Sequence, residues 1–177
     1  MWLPRKGPGS WYVPARLRVL SPLEAASGFS ILGSVLAIAI PAFMRNLHAS
    51  RLVEPIDGLT HIAAKAAALA ASEPAETAYP DSVGLTPEQV PRGGSVTDPP
   101  GTWDNPTWRL LDVSYATAHS YSFAFESRNA PGKATYRAVA HGDLDGDGLL
   151  STFEISGESS DGSEPVTRPM ESRREIE

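Results

Sequence analysis

The sequence predicts an α+β protein in which one long N-terminal helix, kinked near Pro41, packs on a three- to four-stranded antiparallel sheet. Two features near the N-terminus indicate the helix: an uncharged run over residues 25–44, and an apolar repeat in steps of three and four that continues to Ser72. After residue 107 the apolar period changes to two. Steps of three and four are typical of an α-helix, and a period of two is typical of half-buried strands.

The charge distribution separates a basic head from an acidic body. Residues 1–19 carry four basic residues and no acid, and the remaining 11 basic and 21 acidic residues have a net charge of −10. The overall charge of −6 argues against nucleic-acid binding, because phosphate contacts need a basic face. No cysteine is present, which excludes disulfides, thiolate metal sites and cysteine nucleophiles. We assign residues 1–19 to a basic leader or cytoplasmic head, since such flanks stay on the cytoplasmic side.

Residues 20–44 form the first part of the predicted helix. The 20 uncharged residues between Glu24 and Arg45 would span ~30 Å as a helix, about the thickness of a bilayer's hydrocarbon core. A signal-peptide hydrophobic region or a buried core helix is the alternative. Pro41 cannot donate an amide hydrogen bond, so the helix should bend one turn before it.

Residues 45–72 form the second, amphipathic part of the helix. Its apolar residues recur on one face, which predicts a buried stripe. Glu73-Pro74 should end the helix after Ser72. The residues of the stripe are Leu47, Leu52, Val53, Ile56, Leu59, Ile62, Ala63, Ala66 and Leu69.

The rest of the chain divides into a proline-rich loop, a sheet and a tail. Residues 73–107 contain seven prolines and should wrap the helix, with Trp103 and Trp108 pinned into the core. Residues 108–156 should form the sheet, with strands near 108–115, 121–126, 135–140 and 151–155. Residues 157–177 are rich in Ser, Glu and Arg, so we expect a mobile tail with at most a short terminal strand.

The motif that carries chemistry is the run D-L-D-G-D-G-L-L-S-T-F-E between two predicted strands. Its oxygen donors follow the spacing of a calcium loop, with Gly148 at the sharp turn. The sequence therefore predicts one structural calcium ion that joins the two strands, although a regular strand would turn Glu154 away. The alternative is a hairpin tip whose carboxylates accept bonds from backbone amides. The predicted ligands are Asp143, Asp145, Asp147, Leu149, Ser151 and Glu154.

Catalytic motifs are weak by comparison. The four histidines are scattered, and the sequence contains no metalloprotease, nucleophile-elbow or phosphate-loop pattern. His141 stands two residues before Asp143, and we interpret it as an ordinary strand histidine. Because nothing pairs a nucleophile with a base, we expect a protein that is not an enzyme.

Residues 32–43, L-G-S-V-L-A-I-A-I-P-A-F, resemble the end of the N-terminal helix of type IV pilins and of the pseudopilins of type II secretion. Counted back from Pro41, Glu24 stands where that family keeps its single glutamate. The resemblance implies the pilin fold and a homo-oligomeric filament built on the N-terminal helices. It also implies insertion in the bacterial inner membrane, contact with an inner-membrane assembly machinery, and a final place in an extracellular filament or periplasmic pseudopilus. An Asp-rich calcium site also occurs in some pseudopilins.

In this family, removal of a leader frees an N-terminal amine, which Glu24 of a neighbouring subunit would bind. A cut between Val19 and Leu20 keeps Glu24, but the family's glycine before the cut is missing. A cut between Gly28 and Phe29 has the expected residue types, but it discards Glu24. Without the amine, Glu24 is a glutamate at a helix N-terminus, favoured by the helix dipole.

These patterns predict a structural subunit of a pilus-like filament or pseudopilus, with a calcium-stabilised head. The first alternative is a monomeric, membrane-anchored calcium-binding module that does not polymerise. A weaker alternative is a secreted enzyme with a structural calcium ion.

Overall fold

The computed structural model describes residues 21–174, without the side chains of residues 25 and 44–51. The basic head and the pair Val19 and Leu20 lie outside the described residues. The chain divides into two compact units, residues 1–43 and 44–177.

Helix α1 spans Pro22–Ser72 and crosses the boundary between the two units. It stops at Ser72, where Glu73-Pro74 was expected to end it. The span of α1 includes Pro41 and is not interrupted there. The kink near Pro41 therefore stays a prediction.

An antiparallel sheet forms the second unit together with the C-terminal part of α1. Among the described residues its strands are β1 Val83–Thr86, β2 Tyr121–Ala130, β3 Lys133–Gly142, β4 Ser151–Ser160, β5 Val166–Thr167 and β6 Glu171–Arg173. The order is β1-β2-β3-β4-β5, and β6 also pairs with β4. The α+β class is confirmed, and the sheet has more strands than the three or four predicted.

The core lies between one face of α1 and the inner face of the sheet. Strand β4 alternates buried and half-buried positions, as a strand with one covered face does, whereas the first five residues of β2 are all buried. Gly58 gives the helix room here, because a Cβ on it would lie 2.7 Å from the Phe123 ring. The core members of α1 and β2 include Leu59, Ile62, Ala66, Tyr121, Phe123 and Phe125.

The predicted strand over residues 108–115 is wrong. A short helix, α2, spans Pro106–Leu110 instead. The Asn105 side chain accepts a hydrogen bond from the Thr107 amide, and Pro106 occupies the first turn, so the local start signals favour a helix. Trp108 is fully buried, as expected, and its Nε1 donates to Thr86 Oγ1 at 2.9 Å.

Among the described residues, the prediction of at most a short terminal strand after residue 156 is also wrong, while the mobility of this tail stays a prediction. Strand β4 continues to Ser160 because it pairs with the whole of β3, from Gly142↔Ser151 to Lys133↔Ser160. Strands β5 and β6 then pair with β4. Gly157 and Ser159 occupy the inward positions at the end of β4. Because neither residue has a large apolar side chain, the sequence shows no hydrophobic period of two there.

Candidate functional site

The first candidate functional region is the apolar start of α1. Residues Pro22–Phe43 are 22 residues long with a hydropathy of 1.8, and none of the segment's most apolar window is buried. This helix is long and apolar enough to cross a membrane, and a signal sequence near an N-terminus has the same properties. Its exposed side chains include Phe29, Ile31, Leu32, Val35, Ile38, Ile40 and Phe43.

Two serine hydroxyls of this segment, those of Ser27 and Ser34, bond within the helix. Ser27 Oγ donates to the Leu23 carbonyl and Ser34 Oγ donates to the Ser30 carbonyl, both at 2.9 Å. A hydroxyl that bonds to the preceding turn leaves no unpaired donor toward an apolar environment. The serines are therefore compatible with a lipid or protein environment around the helix.

Glu24 has local partners at the beginning of α1. Its Oε2 accepts a bond from the Ser21 amide at 2.8 Å, and its own amide donates to Ser21 Oγ at 3.3 Å. This reciprocal pair is a capping box. The arrangement fits the alternative given above, a glutamate at a helix N-terminus. Gly28 and Phe29 lie inside α1, one turn after Glu24.

The second candidate region is the loop between β3 and β4. Asp143, Asp145 and Asp147 each place one carboxylate oxygen within 4.8 Å of the others. Asp143 is buried, whereas Asp145 and Asp147 are exposed. We call these three residues the Asp triad. The triad could hold a metal ion, and its hard carboxylate oxygens suit calcium or magnesium better than soft metals.

The backbone of the loop wraps around Asp143. Its Oδ1 accepts the Gly146 amide at 2.9 Å and its Oδ2 accepts the Gly148 amide at 3.2 Å. Both glycines have positive φ, 82° and 91°, a conformation that other residues rarely adopt. Such bonds were expected under the alternative to a calcium loop, a hairpin tip whose carboxylates accept hydrogen bonds from backbone amides. Asp145 and Asp147 remain exposed.

Three further residues were predicted as ligands, and they differ in position and in hydrogen-bond partners: Leu149, Ser151 and Glu154. Leu149 follows the triad, and its amide donates to Asp147 Oδ1 at 2.7 Å. Ser151 is buried and its hydroxyl donates to the Gly142 carbonyl at 3.1 Å, so it closes the hairpin.

Glu154 is not brought to the triad, which corrects its prediction as a ligand and agrees with the expectation that a regular strand would turn it away. It stands three residues along β4 from Ser151, on the opposite face of the strand, and binds Arg137 at 2.8 Å. A regular strand advances ~3.3 Å per residue and alternates its faces, so residue 12 of the motif points away from the loop. In a helix–loop–helix calcium site the same residue would turn back toward the ion.

The sequence did not reveal that the proline-rich segment packs against the Asp loop. The Gly93 amide donates to the Asp143 carbonyl at 2.7 Å, and Arg92 Nε lies 3.6 Å from Asp143 Oδ2. A Cβ on Gly146 would lie 3.4 Å from the Gly93 Cα, so the two backbones are in close contact. The run P-R-G-G signals a turn, but no local pattern pairs it with a loop 50 residues later.

A buried polar cluster connects the proline-rich segment to the start of β2. His119 is 1% exposed; its Nε2 lies 2.8 Å from Asp98 Oδ2 and its Nδ1 lies 2.8 Å from the Tyr121 carbonyl. Trp103 Nε1 donates to the same Asp98 oxygen at 2.7 Å. The cluster fixes residues 98–103 on the core, and we assign it to packing.

Comparison with protein-family models, with curated proteins and with solved structures finds no match for this chain.

Proposed function

We propose that this protein is a structural subunit of a pilus-like filament or pseudopilus. It is first held in the bacterial inner membrane, with residues 1–19 on the cytoplasmic side. An inner-membrane assembly machinery then moves it into an extracellular or periplasmic fibre. The role is mechanical, not catalytic. The observation that carries the proposal is the apolar segment Pro22–Phe43, of whose most apolar window no residue is buried and which belongs to the same helix as the stripe that builds the head's core.

The physical support is that this segment exposes large apolar side chains, which is unfavourable in water. Phe29 and Ile38 are each 74% exposed and Phe43 is 63% exposed. Burying each such side chain is worth roughly 1.5–3 kcal/mol. A lipid bilayer supplies that burial before assembly, and the same helices of neighbouring copies supply it afterwards. The pilin-like motif over residues 32–43 gives the second support.

Electron microscopy of fibres sheared from expressing cells tests this proposal. We expect fibres from the full chain and from Ile31→Leu, which keeps the apolar surface. Ile31→Asp should give none, because a carboxylate at the helix centre costs ~2.5–3.5 kcal/mol in the membrane. Detergent-soluble monomers under all conditions would contradict the filament.

The second candidate function is a monomeric, membrane-anchored calcium-binding module. The capping box favours it, because the Glu24 carboxylate already has a partner in its own chain. In this case the protein stays in the membrane fraction, and no fibre is found at any expression level.

In both cases we propose that the Asp triad binds calcium and stabilises the head. The support is the set of three carboxylates, the two positive-φ glycines and the position of the loop between β3 and β4. When bound, calcium would supply the charge that offsets three neighbouring carboxylates. Asp143 would hold the ion from inside the loop, and Asp145 and Asp147 would hold it from outside.

Thermal melting of the detergent-solubilised full chain with and without calcium tests the site. At 100 times the dissociation constant a bound ion adds ~2.7 kcal/mol, which corresponds to a rise of about 5–10 °C in a chain of this size. Asp145→Ala should abolish the rise, and Asp57→Ala on an exposed position of α1 should keep it. A calcium response that survives Asp145→Ala would refute the site.

A further inference from the structure

We propose that Asp98 and His119 form a proton-operated latch. One proton shared by the two side chains holds residues 97–103 of the proline-rich segment against the core, and loss of that proton releases the segment. The latch adds a pH response to the packing role that this polar cluster has in the fold. It depends neither on the filament nor on calcium.

Both ring nitrogens of His119 face hydrogen-bond acceptors. Nδ1 lies 2.8 Å from the Tyr121 carbonyl oxygen, which can only accept, so Nδ1 carries a proton. Nε2 lies 2.8 Å from Asp98 Oδ2, a distance at which one of these two atoms must donate. A neutral ring protonated on Nδ1 and an ionised carboxylate have no proton for this contact. The pair therefore holds one proton more than a free aspartate and a free histidine hold above neutral pH.

The bond from Trp103 indicates that this proton lies on the ring. Trp103 Nε1 donates to the same Asp98 Oδ2 at 2.7 Å, and an ionised carboxylate oxygen accepts such a bond better than a protonated one. An imidazolium and a carboxylate then form a buried ion pair, because the His119 and Asp98 side chains are 1% and 6% exposed. Removing one charge of a buried pair is strongly destabilising, since the other charge is left uncompensated.

Within the described part of the chain, the titratable groups around the His119 ring come from three segments. Asp98 belongs to the proline-rich segment and Glu54 to α1, and the Tyr115 ring lies 5.2 Å from the His119 ring between centroids. Burial raises the pKa of Glu54, and the charge of His119 is among the influences that oppose this rise. Burial and the nearby charges of Glu54 and Asp57 raise the pKa of Tyr115, which therefore stays neutral near pH 7. Two carboxylates thus favour a positive charge on the ring.

The segment that carries Asp98 has room to move. Cavities of about 920 and 750 Å³ lie beside it, and residues 97–99 line both of them. At the start of the segment, the Val96 and His119 amides each donate to the other residue's carbonyl at 2.9 Å. Without a proton on Nε2, two lone pairs would face each other across the 2.8 Å contact to Asp98. The segment would then leave the ring and expose Trp103.

Urea unfolding of the detergent-solubilised full chain at pH 6.5 and pH 8.5 tests the latch. His119→Gln keeps an N–H donor that does not titrate, so its packing loss is the same at both pH values. A proton held only by the folded chain gives stability that is present at low pH and lost as pH rises. The unfolding equilibrium constant of the parent should therefore rise roughly five- to fiftyfold relative to that of His119→Gln between these pH values. Asp98→Asn should show the same change, and the exposed control His61→Gln should behave as the parent.

Hydrogen exchange followed by mass spectrometry shows whether the segment opens, and it needs only the parent chain. After correction for the intrinsic effect of pH on exchange, residues 96–103 should lose protection between pH 6.5 and pH 8.5, while β3 should keep it. The latch is wrong if residues 96–103 stay as protected as β3. It is equally wrong if the unfolding of the parent and of a folded His119→Gln or Asp98→Asn variant depends on pH in the same way.

Discussion

Glu54 of α1 is the acceptor for the first amides of β2, and its replacement gives the sharpest test of how the helix is attached to the sheet. Its Oε1 accepts from the Ser120 amide at 2.9 Å and from the Tyr121 amide at 3.0 Å, and its Oε2 also accepts from Ser120 at 3.0 Å. Ser120 is 5% exposed and Tyr121 has no exposed surface. Both amides would lose this acceptor in Glu54→Ala.

The expected loss of unfolding free energy follows from the two amides that would lose their acceptor. Removing the acceptor of a buried donor costs ~1–3 kcal/mol, so the loss of the acceptor for two amides in Glu54→Ala should lower the free energy of unfolding by about 2–6 kcal/mol. Glu54→Gln keeps one oxygen acceptor and should lose about 1–2 kcal/mol. Asp57→Ala, on an exposed position of the same helix, should stay within about 0.5 kcal/mol of the parent.

The pH dependence of the Gln variant has a definite sign. Burial raises the pKa of the Glu54 carboxyl, while the Ser120 and Tyr121 amides and the nearby His119 oppose that rise. A raised pKa in the folded state contributes stability that is fully present below the unfolded pKa and is lost as pH rises through the folded pKa. The difference in unfolding free energy between the parent and Glu54→Gln should therefore be larger at pH 4 than at pH 7.

Urea unfolding of the full chain in mild detergent, followed by the fluorescence of the buried tryptophans, measures these differences between pH 4 and pH 7. The reasoning is refuted if Glu54→Ala loses less than about 1 kcal/mol. It is equally refuted if the parent-minus-Gln difference grows with pH.

Three further changes test other parts of the structure. Gly58→Ala should cost ~1–3 kcal/mol by overpacking, because the added Cβ meets the Phe123 ring at 2.7 Å; an unchanged urea midpoint would contradict this. Arg137 holds the pKa of the Glu154 carboxyl below its usual range. Arg137→Met should therefore lose under ~1 kcal/mol at pH 7, and this loss should fade as pH falls through the carboxyl range; a loss that persists at pH 3 in thermal melts would contradict it. Leu32→Lys should reduce the carbonate-resistant membrane fraction, because a lysine at the centre of the segment costs ~2.5–3.5 kcal/mol, and full retention would contradict a membrane span.

The elements whose apolar residues recur with a clear period could be predicted from the sequence. Tyr121, Phe123 and Phe125 alternate with smaller or polar residues, and the structure buries all three in β2. The apolar steps of α1 likewise predicted Leu59 and Ile62, which are core residues, but they also predicted Val53 and Ile56, which are exposed. In both cases one face of an element is covered and large side chains mark it, so the period is visible without tertiary information.

The remaining features depend on contacts between distant segments. The end of β4 carries Gly157 and Ser159 at its inward positions, so no apolar residue marks the strand there. The spacing of the motif alone could not place Glu154, because the same spacing in a strand and in a helix sends the twelfth residue to different places; the strand predicted over residues 151–155 was needed to indicate that it points away. Arg92 reaches the loop only through the tertiary fold.

Disulfide cross-linking tests the central claim most directly, and the chain has no cysteine of its own to interfere. Ser34→Cys places one thiol on the exposed apolar helix, and Ser163→Cys places a control thiol in an exposed turn of the head. We predict that oxidation of sheared fibres converts the Ser34→Cys protein into dimers and leaves the Ser163→Cys protein monomeric. The account is contradicted if the Ser34→Cys protein stays monomeric in every fraction, or if its thiol is protected from water-soluble maleimide inside a soluble monomer.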